Sequence, residues 1–223
     1  MQTIDDQLLE RIDTYVETLF APQDQGLVQG LKAAESAGLP GINVSPSQGK
    51  LMYLLTRIAG ARRVLEIGTL GGYSTTWFAR ALPVNGKVIT LEISPRNAEV
   101  ARANLEHAGV GGLVEIRLGA AADSLKKMIA AKEEAFDLVF IDADKPGYVE
   151  YLRLTLELSH PGTVILADNL LRNGLVLEDQ PSDENARGAK AFNEAIAANP
   201  RLESIVLPIY REQVDGLSIS LVK

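Results

Sequence analysis

FDLVFIDADK, residues 136–145, is an apolar run that, Asp137 apart, turns polar at its C-terminal end. GTVILADN, residues 162–169, repeats that pattern and closes on an acid and an amide. Each run is long enough for one buried strand. In an open parallel α/β sheet, ligands bind outside the carboxyl ends of the strands. If these two strands are neighbours, Asp142, Asp168 and Asn169 converge as three hard oxygen ligands. Such a set suits Mg²⁺ or Ca²⁺, and Lys145 stands beside it as a proton acceptor.

A third stretch, VLEIGTLGGYS (residues 64–74), reads as a buried strand that breaks into a glycine-rich turn. Ser74 is placed to cap the helix that follows. Gly68, Gly71 and Gly72 remove side chains where a ligand would approach backbone. The next strand, KVITLEI (residues 87–93), carries Glu92 near its tip, twenty positions after Gly72. An acid at that place suits a two-handed grip on ribose hydroxyls. The glycine spacing is G-x-x-G-G, which departs from the dinucleotide pattern G-x-G-x-x-G.

From Val64 onward strands and helices alternate. One helix is marked by Ser94 as N-cap, Pro95 at its first position and Gly109 as its stop. Further strands are expected at residues 113–119, 204–209 and 216–223. The last two are separated by six residues, too few for a parallel crossover, so that pair should be antiparallel. Ahead of the first strand, Ile4, Leu8, Leu9, Ile12, Tyr15, Val16 and Leu19 form a helical stripe. Further helices are expected around residues 27–37 and 47–59. The expected fold is α/β: a seven-stranded, mostly parallel, Rossmann-like doubly wound sheet with one antiparallel strand near the C-terminus. Helices cover both faces, and extra N-terminal helices precede the sheet. The chain reads as one domain over residues 1–223, with a helical cap (1–60) on an α/β core (61–223). The polar stretch 172–188 reads as a cover over the strand ends.

Composition narrows the class. With 29 acidic against 22 basic residues the formal net charge is -7, and no basic cluster stands out, which argues against nucleic acid or an anionic membrane as partner. No apolar run reaches the length of a membrane span, and the first ten residues carry three acids, unlike a signal peptide. The absence of cysteine excludes disulfides, thiolate nucleophiles and Cys-bound zinc. A cytoplasmic address is expected.

Taken together, E-x-G-x-x-x-G-Y-S (Glu66, Gly68, Gly72, Tyr73, Ser74), D-A-D-K (Asp142 to Lys145) and D-N (Asp168, Asn169) resemble the cation-dependent O-methyltransferases of the class I S-adenosylmethionine fold. That family includes catechol and caffeoyl-CoA O-methyltransferases, and the chain looks most like its bacterial members from residue 42 to the C-terminus. The resemblance implies S-adenosylmethionine and a divalent cation as cofactors, with Mg²⁺ first and Mn²⁺ or Ca²⁺ as alternatives. It implies that Val44, Glu66, Gly68, Thr69, Gly72 and Ser74 surround the methionine end of the cofactor. Glu92 would hold the ribose, Ala121 and Ala122 would flank the adenine, and Asp144 would sit near the cofactor's amino group. Asp142, beside the cofactor as well, would hold the metal with Asp168 and Asn169. Lys145 matches the general base, Asn173 a residue near the substrate, and a homodimer is implied.

The reaction so implied moves a methyl group to one hydroxyl of a small aromatic diol. A phenol is a poor nucleophile and its phenolate a good one, and a cation bound to both vicinal oxygens favours the ionised form. Lys145 can take the released proton only when neutral, a state that burial and a neighbouring cation favour. Each residue also has a plainer reading. Asp142 could cap a turn, Asp168 and Asn169 could be a turn pair, Lys145 could be the salt-bridge partner of Asp142 or Asp144, and Glu92 could be a surface acid. Two other functions remain open: a nicotinamide-dependent oxidoreductase, which would require the G-x-G-x-x-G spacing, and a non-catalytic cofactor-binding protein of the same fold.

Overall fold

The computed structural model describes residues 6–211 and 213–223. Its seven strands are β1 (Arg63–Ile67), β2 (Lys87–Glu92), β3 (Val114–Leu118), β4 (Phe136–Ile141), β5 (Ser159–Ala167), β6 (Leu202–Tyr210) and β7 (Val214–Val222). They lie in the order β3-β2-β1-β4-β5-β7-β6. All neighbours are parallel except β7, which runs antiparallel to both β5 and β6. The reversed strand is therefore the last one. β6 ends at Tyr210 and β7 begins at Val214, so fewer residues separate them than the six expected, each strand extending beyond its apolar centre.

Strand alternation sends successive side chains to opposite faces, and each face buries its own core. Leu65, Ile67, Ile89, Leu91, Val139, Ile141 and Ile165 pack under three helices: α6 (Ala121–Ala130), α7 (Tyr148–Leu156) and α8 (Glu184–Ala198). Val64, Val88, Leu138, Phe140, Leu166 and Leu217 pack on the other face. There they meet residues of α2 (Gln25–Ser36), α3 (Pro46–Ile58), α4 (Tyr73–Ala81) and α5 (Pro95–His107). α1 (Asp6–Phe20) rests against α3, and Asp13 and Glu17 on it pair with Arg211 from the β6–β7 turn. Of the N-terminal stripe, Ile4 lies outside the described residues. Among the described residues no helix is long and apolar enough to cross a membrane.

Three local readings need correction. Ser74 does not cap α4, because Gly72 occupies the N-cap position without a side-chain bond and the Ser74 hydroxyl is drawn to a buried acid. The third helix starts at Pro46, and Ser45 caps it in a reciprocal capping box with Gln48. The stretch 172–188 is not one continuous loop: left-handed residues Arg172, Asn173 and Gly174 open a kinked 3₁₀ segment that ends at Leu177, and Asp183 caps α8 through the Ala186 amide.

The winding of the sheet reverses between β1 and β4, the crevice where ligands bind in such folds. Gly68 sits there with φ +98, and a Cβ on it would collide with the Asp142 carbonyl. Two strand ends can approach this closely only without a side chain between them.

Candidate active site

Above the carboxyl ends of β1, β2, β4 and β5 lies a cavity of about 840 Å³. Val44, Gly68, Thr69, Ser74, Glu92, Ala121, Asp142, Asp144, Lys145 and Asn169 line it, so ten expected site residues share one space. Glu66, Gly72, Asp168 and Asn173 are not on its wall. Asn173 is exposed on a left-handed turn (φ 53), where its Oδ1 accepts from the Val214 amide. That bond fixes the turn, and the side chain is not among those that line the cavity.

Glu66 is fully buried beneath the glycine turn, and there it accepts from three hydroxyls. Ser74 Oγ lies 2.6 Å from Oε1, while Thr75 Oγ1 and Thr90 Oγ1 lie 2.5 and 2.7 Å from Oε2. Thr69 Oγ1 joins the network 2.5 Å from Thr90 Oγ1. The acid thus ties the start of α4 to β1 and β2. Burial pushes its carboxyl up to about 7, although the three hydroxyl donors pull the other way. A group raised in the folded state contributes stability in full below its ordinary value of 4.5 and loses it as pH rises through about 7. We expect the stability of the native chain to fall relative to Glu66→Gln between pH 4.5 and pH 8, by on the order of 3 kcal/mol. Urea melts of both proteins across that range check this; a pH-independent difference would show that Glu66 ionises normally.

Glu92 is 6% exposed and faces the cavity at the tip of β2. Its Oε2 accepts from the amides of Leu70 (2.9 Å) and Thr69 (3.3 Å), and its Oε1 from the Ser94 amide (2.8 Å). These bonds hold the carboxylate against the glycine turn. Each oxygen can accept more than one bond, so hydroxyls of a ligand can be received as well.

The ends of β4 and β5 carry the charge. Asp142 follows β4 and is half-buried; Asp168 follows β5 and is 4% exposed. Asp168 is held by the side-chain amide of Gln48, 3.3 and 3.2 Å from Oδ1 and Oδ2, and by the Asn169 amide at 2.9 Å. No ion pair reaches it among the described residues. Burial, followed by the neighbouring charge of Asp142, pushes its carboxyl up to about 7. The charge of Lys145 pulls the other way and does not offset the burial. Among the described residues no group of three His, Cys, Asp or Glu could hold a metal, so a cation here would need a neutral oxygen beside the two carboxylates, and the Asn169 amide is on the wall. Asn169 lines the cavity from a left-handed conformation (φ 59). Two carboxylates and one amide oxygen are hard donors that fit Mg²⁺ or a similar cation.

Lys145 is 5% exposed. Its Nζ donates to Tyr148 Oη (2.6 Å), Asp142 Oδ1 (3.2 Å) and the Ala143 carbonyl (3.3 Å). α8 presses against this turn at Gly188, where a Cβ would strike the Lys145 carbonyl. Tyr148 is fully buried, and its hydroxyl donates to the carbonyls of Ile141 (3.1 Å) and Asp168 (3.2 Å). Burial and the charges of Asp142 and Asp168 raise its pKa well above the ordinary tyrosine value. Its oxygen therefore presents lone pairs to Lys145. Asp144 is exposed at the rim and accepts from Tyr151 Oη at 2.6 Å.

Sequence reasoning missed Gln48, Tyr148, Arg172 and Asp215. Gln48 had a signal, since S-P-S-Q at 45–48 is a capping box. Tyr148 stands three residues after Lys145, a spacing that puts two side chains on one side of a helical turn.

A family model described as O-methyltransferase matches residues 21–221. The catechol O-methyltransferase of Niastella koreensis is 42% identical over 221 residues, covering 99% of this chain and all of that protein. The catechol O-methyltransferase of Mycobacterium tuberculosis is 40% identical, covering 95% of each. The crystal structure of the O-methyltransferase from Bacillus cereus in complex with SAH superposes with a TM-score of 0.95 at 43% identity, covering 98% of this chain and all of that one. A cavity at the switch point, a glycine turn backed by an acid at the second strand's tip, and matches along nearly the whole chain agree: this protein belongs to the class I S-adenosylmethionine-dependent O-methyltransferases.

Proposed function

We propose that the chain methylates one hydroxyl of a small catechol-type aromatic, with a divalent cation and Lys145 as general base. The observation that carries this reading is the meeting of Asp142, Asn169 and Lys145 on the wall of the cavity that Gly68 and Glu92 also line. The names of the N. koreensis and M. tuberculosis relatives support the acceptor class. Family membership removes the nicotinamide oxidoreductase alternative.

In this proposal Glu92 receives the ribose hydroxyls, and Val44, Gly68, Thr69 and Ser74 enclose the methionine end. Ala121 flanks the adenine, and Asp144 lies near the amino group. Glu66 and Gly72 act from beneath, by shaping the turn. Asp142, Asp168 and Asn169 would hold Mg²⁺, with Mn²⁺ or Ca²⁺ as alternatives. A cation there would favour the ionised diol and fix both of its oxygens. Lys145 Nζ takes the phenolic proton from its neutral form, which keeps two donors for its present contacts and turns its lone pair to the cavity, and it becomes the ammonium. The deprotonated oxygen then forms a bond to the methyl carbon as the carbon–sulfur bond breaks, leaving the neutral thioether.

The test is direct. S-adenosylhomocysteine should raise the melting temperature of the chain, and NAD should not. Glu92→Ala should weaken S-adenosylhomocysteine binding about tenfold or more, because ribose hydroxyls lose their acceptor in a partly dry pocket. Unchanged calorimetric affinity in that variant would remove the ribose role.

We also propose a homodimer. Ile12, Tyr15 and Leu19 on α1 are 48, 66 and 54% exposed, and Ile58 at the end of α3 is 80% exposed. An apolar stripe of this kind is a contact surface, and a second copy is the partner the chain always has at hand. Light scattering should give the mass of two 24.1 kDa chains; a monomer at micromolar concentration would count against the dimer.

A further inference from the structure

One cation on the cavity wall has no anion. Lys145 uses all three of its donors on Tyr148, Asp142 and Ala143. Arg172, the other cation on the wall, pairs with no carboxylate among the described residues, and its Nε is buried without a partner. Asp215, an acid that also lines the cavity, spends Oδ1 on the amides of Leu171 (3.0 Å), Arg172 (3.2 Å) and Gly216 (2.9 Å) and makes no ion pair with Arg172 among the described residues. It holds the backbone of Arg172 and leaves the guanidinium free. The other lining residues at this end, Asn169, Asn185 and Gln213, carry neutral amides.

The backbone at Arg172 is also unusual. Its φ is 49, in the left-handed region that residues other than glycine and asparagine rarely occupy. Asn173 continues the turn at φ 53 and is pinned to the Val214 amide. A long cationic side chain is thus held on the wall by a strained, anchored turn, a feature that gathers at ligand-binding positions.

Position separates this cation from the cofactor's ribose. Glu92 stands at the end of β2 and Asn169 after β5, three strand spacings away across β1 and β4, or about 14 Å. Arg172 lies three residues beyond Asn169, so its Cα is within about 11 Å of the amide residue's. Arg172 and Asn169 line the same cavity, so a charged group on an aromatic ring whose diol sits at Asn169 is within reach of this side of the wall.

We propose that Arg172 receives a carboxylate carried by the acceptor, which makes the preferred acceptor an aromatic ortho-diol acid. The inference rests on the catechol reading above and deepens it. A planar guanidinium takes a carboxylate through two parallel hydrogen bonds. A neutral acceptor leaves the guanidinium charge on the wall uncompensated, and an amine-bearing one sets cation against cation. Both are discriminated against.

Three acceptors with the same diol test this: 3,4-dihydroxybenzoate, its methyl ester and dopamine. The native enzyme should show kcat/KM for the acid at least about tenfold above the ester, with dopamine lowest. In Arg172→Gln the acid-to-ester ratio should fall to about one, and Arg172→Lys should keep part of it. Calorimetry with S-adenosylhomocysteine should give the native affinity in Arg172→Gln, which also shows that the variant is folded. A native ratio near one, or a ratio that survives in Arg172→Gln, overturns the proposal. So does lost S-adenosylhomocysteine affinity, which would assign the guanidinium to the cofactor's own carboxylate. Methylation of none of the three by the native enzyme overturns the catechol reading and this inference together; methylation of the ester without preference for the acid overturns the inference alone.

Discussion

Stripping divalent cations with a chelator is expected to lower methyl transfer to a catechol by about a thousandfold, the equivalent of roughly 4 kcal/mol of transition-state stabilisation. Excess Mg²⁺ or Mn²⁺ should restore it. Asp168→Ala should show the same loss without a chelator and resist rescue. The reason lies in the charge balance of the β4 and β5 ends: Asp168 is almost wholly buried, carries no ion pair, and is crowded by Asp142. Such a carboxylate is a cost in the empty site and a ligand in the filled one. Removing it should therefore leave the unliganded protein no less stable than before, while its metal response disappears. The measurements are turnover in chelator, and melting temperature with and without Mg²⁺ for both proteins. S-adenosylhomocysteine affinity should survive the substitution, since Asp168 is off the wall that the cofactor would meet. Full turnover in chelator would remove the cation from the proposal and leave the methyltransferase assignment standing.

Much of this arrangement is legible in the chain because it depends on strand ends. The run from Phe136 to Ile141 has no polar residue except Asp137, so the following acid can only fall where the strand emerges. The same logic placed Glu92 and Asn169. The short connection ahead of β7 fixed its reversal, because no parallel crossover fits. What remained hidden are contacts between residues far apart in sequence. Gln48 reaches Asp168 across 120 positions, and Asp215 reaches Arg172 across 43. No periodicity reports a pairing of that kind. Ser74 was misread for a related reason. A serine just after a glycine turn looks like a cap, but the buried Glu66 needs donors more than the helix start does, and it takes the hydroxyl. The 172–188 stretch was read only as a polar cover because its polarity masked the Asp183 cap and the start of α8, whose buried face is Ala186, Ala189, Phe192 and Ile196.

Lys145→Ala should lower kcat by about two to four orders of magnitude at neutral pH, the usual contribution of a positioned base. KM for the cofactor should hardly move. The two readings of Lys145, base and ion-pair partner, share the 3.2 Å contact with Asp142 and differ in what they predict beyond it. A base can be replaced by solvent once solvent is basic enough. Its loss should therefore matter less as pH rises, and the ratio of native to variant kcat should shrink steadily between pH 7 and pH 10. An ion-pair partner acts through stability, so its removal would lower the melting temperature and leave a pH-independent rate ratio. Tyr148→Phe separates the cases further. The hydroxyl that accepts from Nζ at 2.6 Å also donates to the carbonyls of Ile141 and Asp168, so its deletion should cost about 1–3 kcal/mol of stability through unpaired groups. Lys145 itself would remain, with Asp142 and the Ala143 carbonyl still holding the amine in place. Tyr148→Phe should accordingly be less stable than Lys145→Ala yet faster, and its rate should keep the native pH profile. If Lys145→Ala retains full activity at neutral pH, the proton leaves by another route and Lys145 serves only to neutralise Asp142.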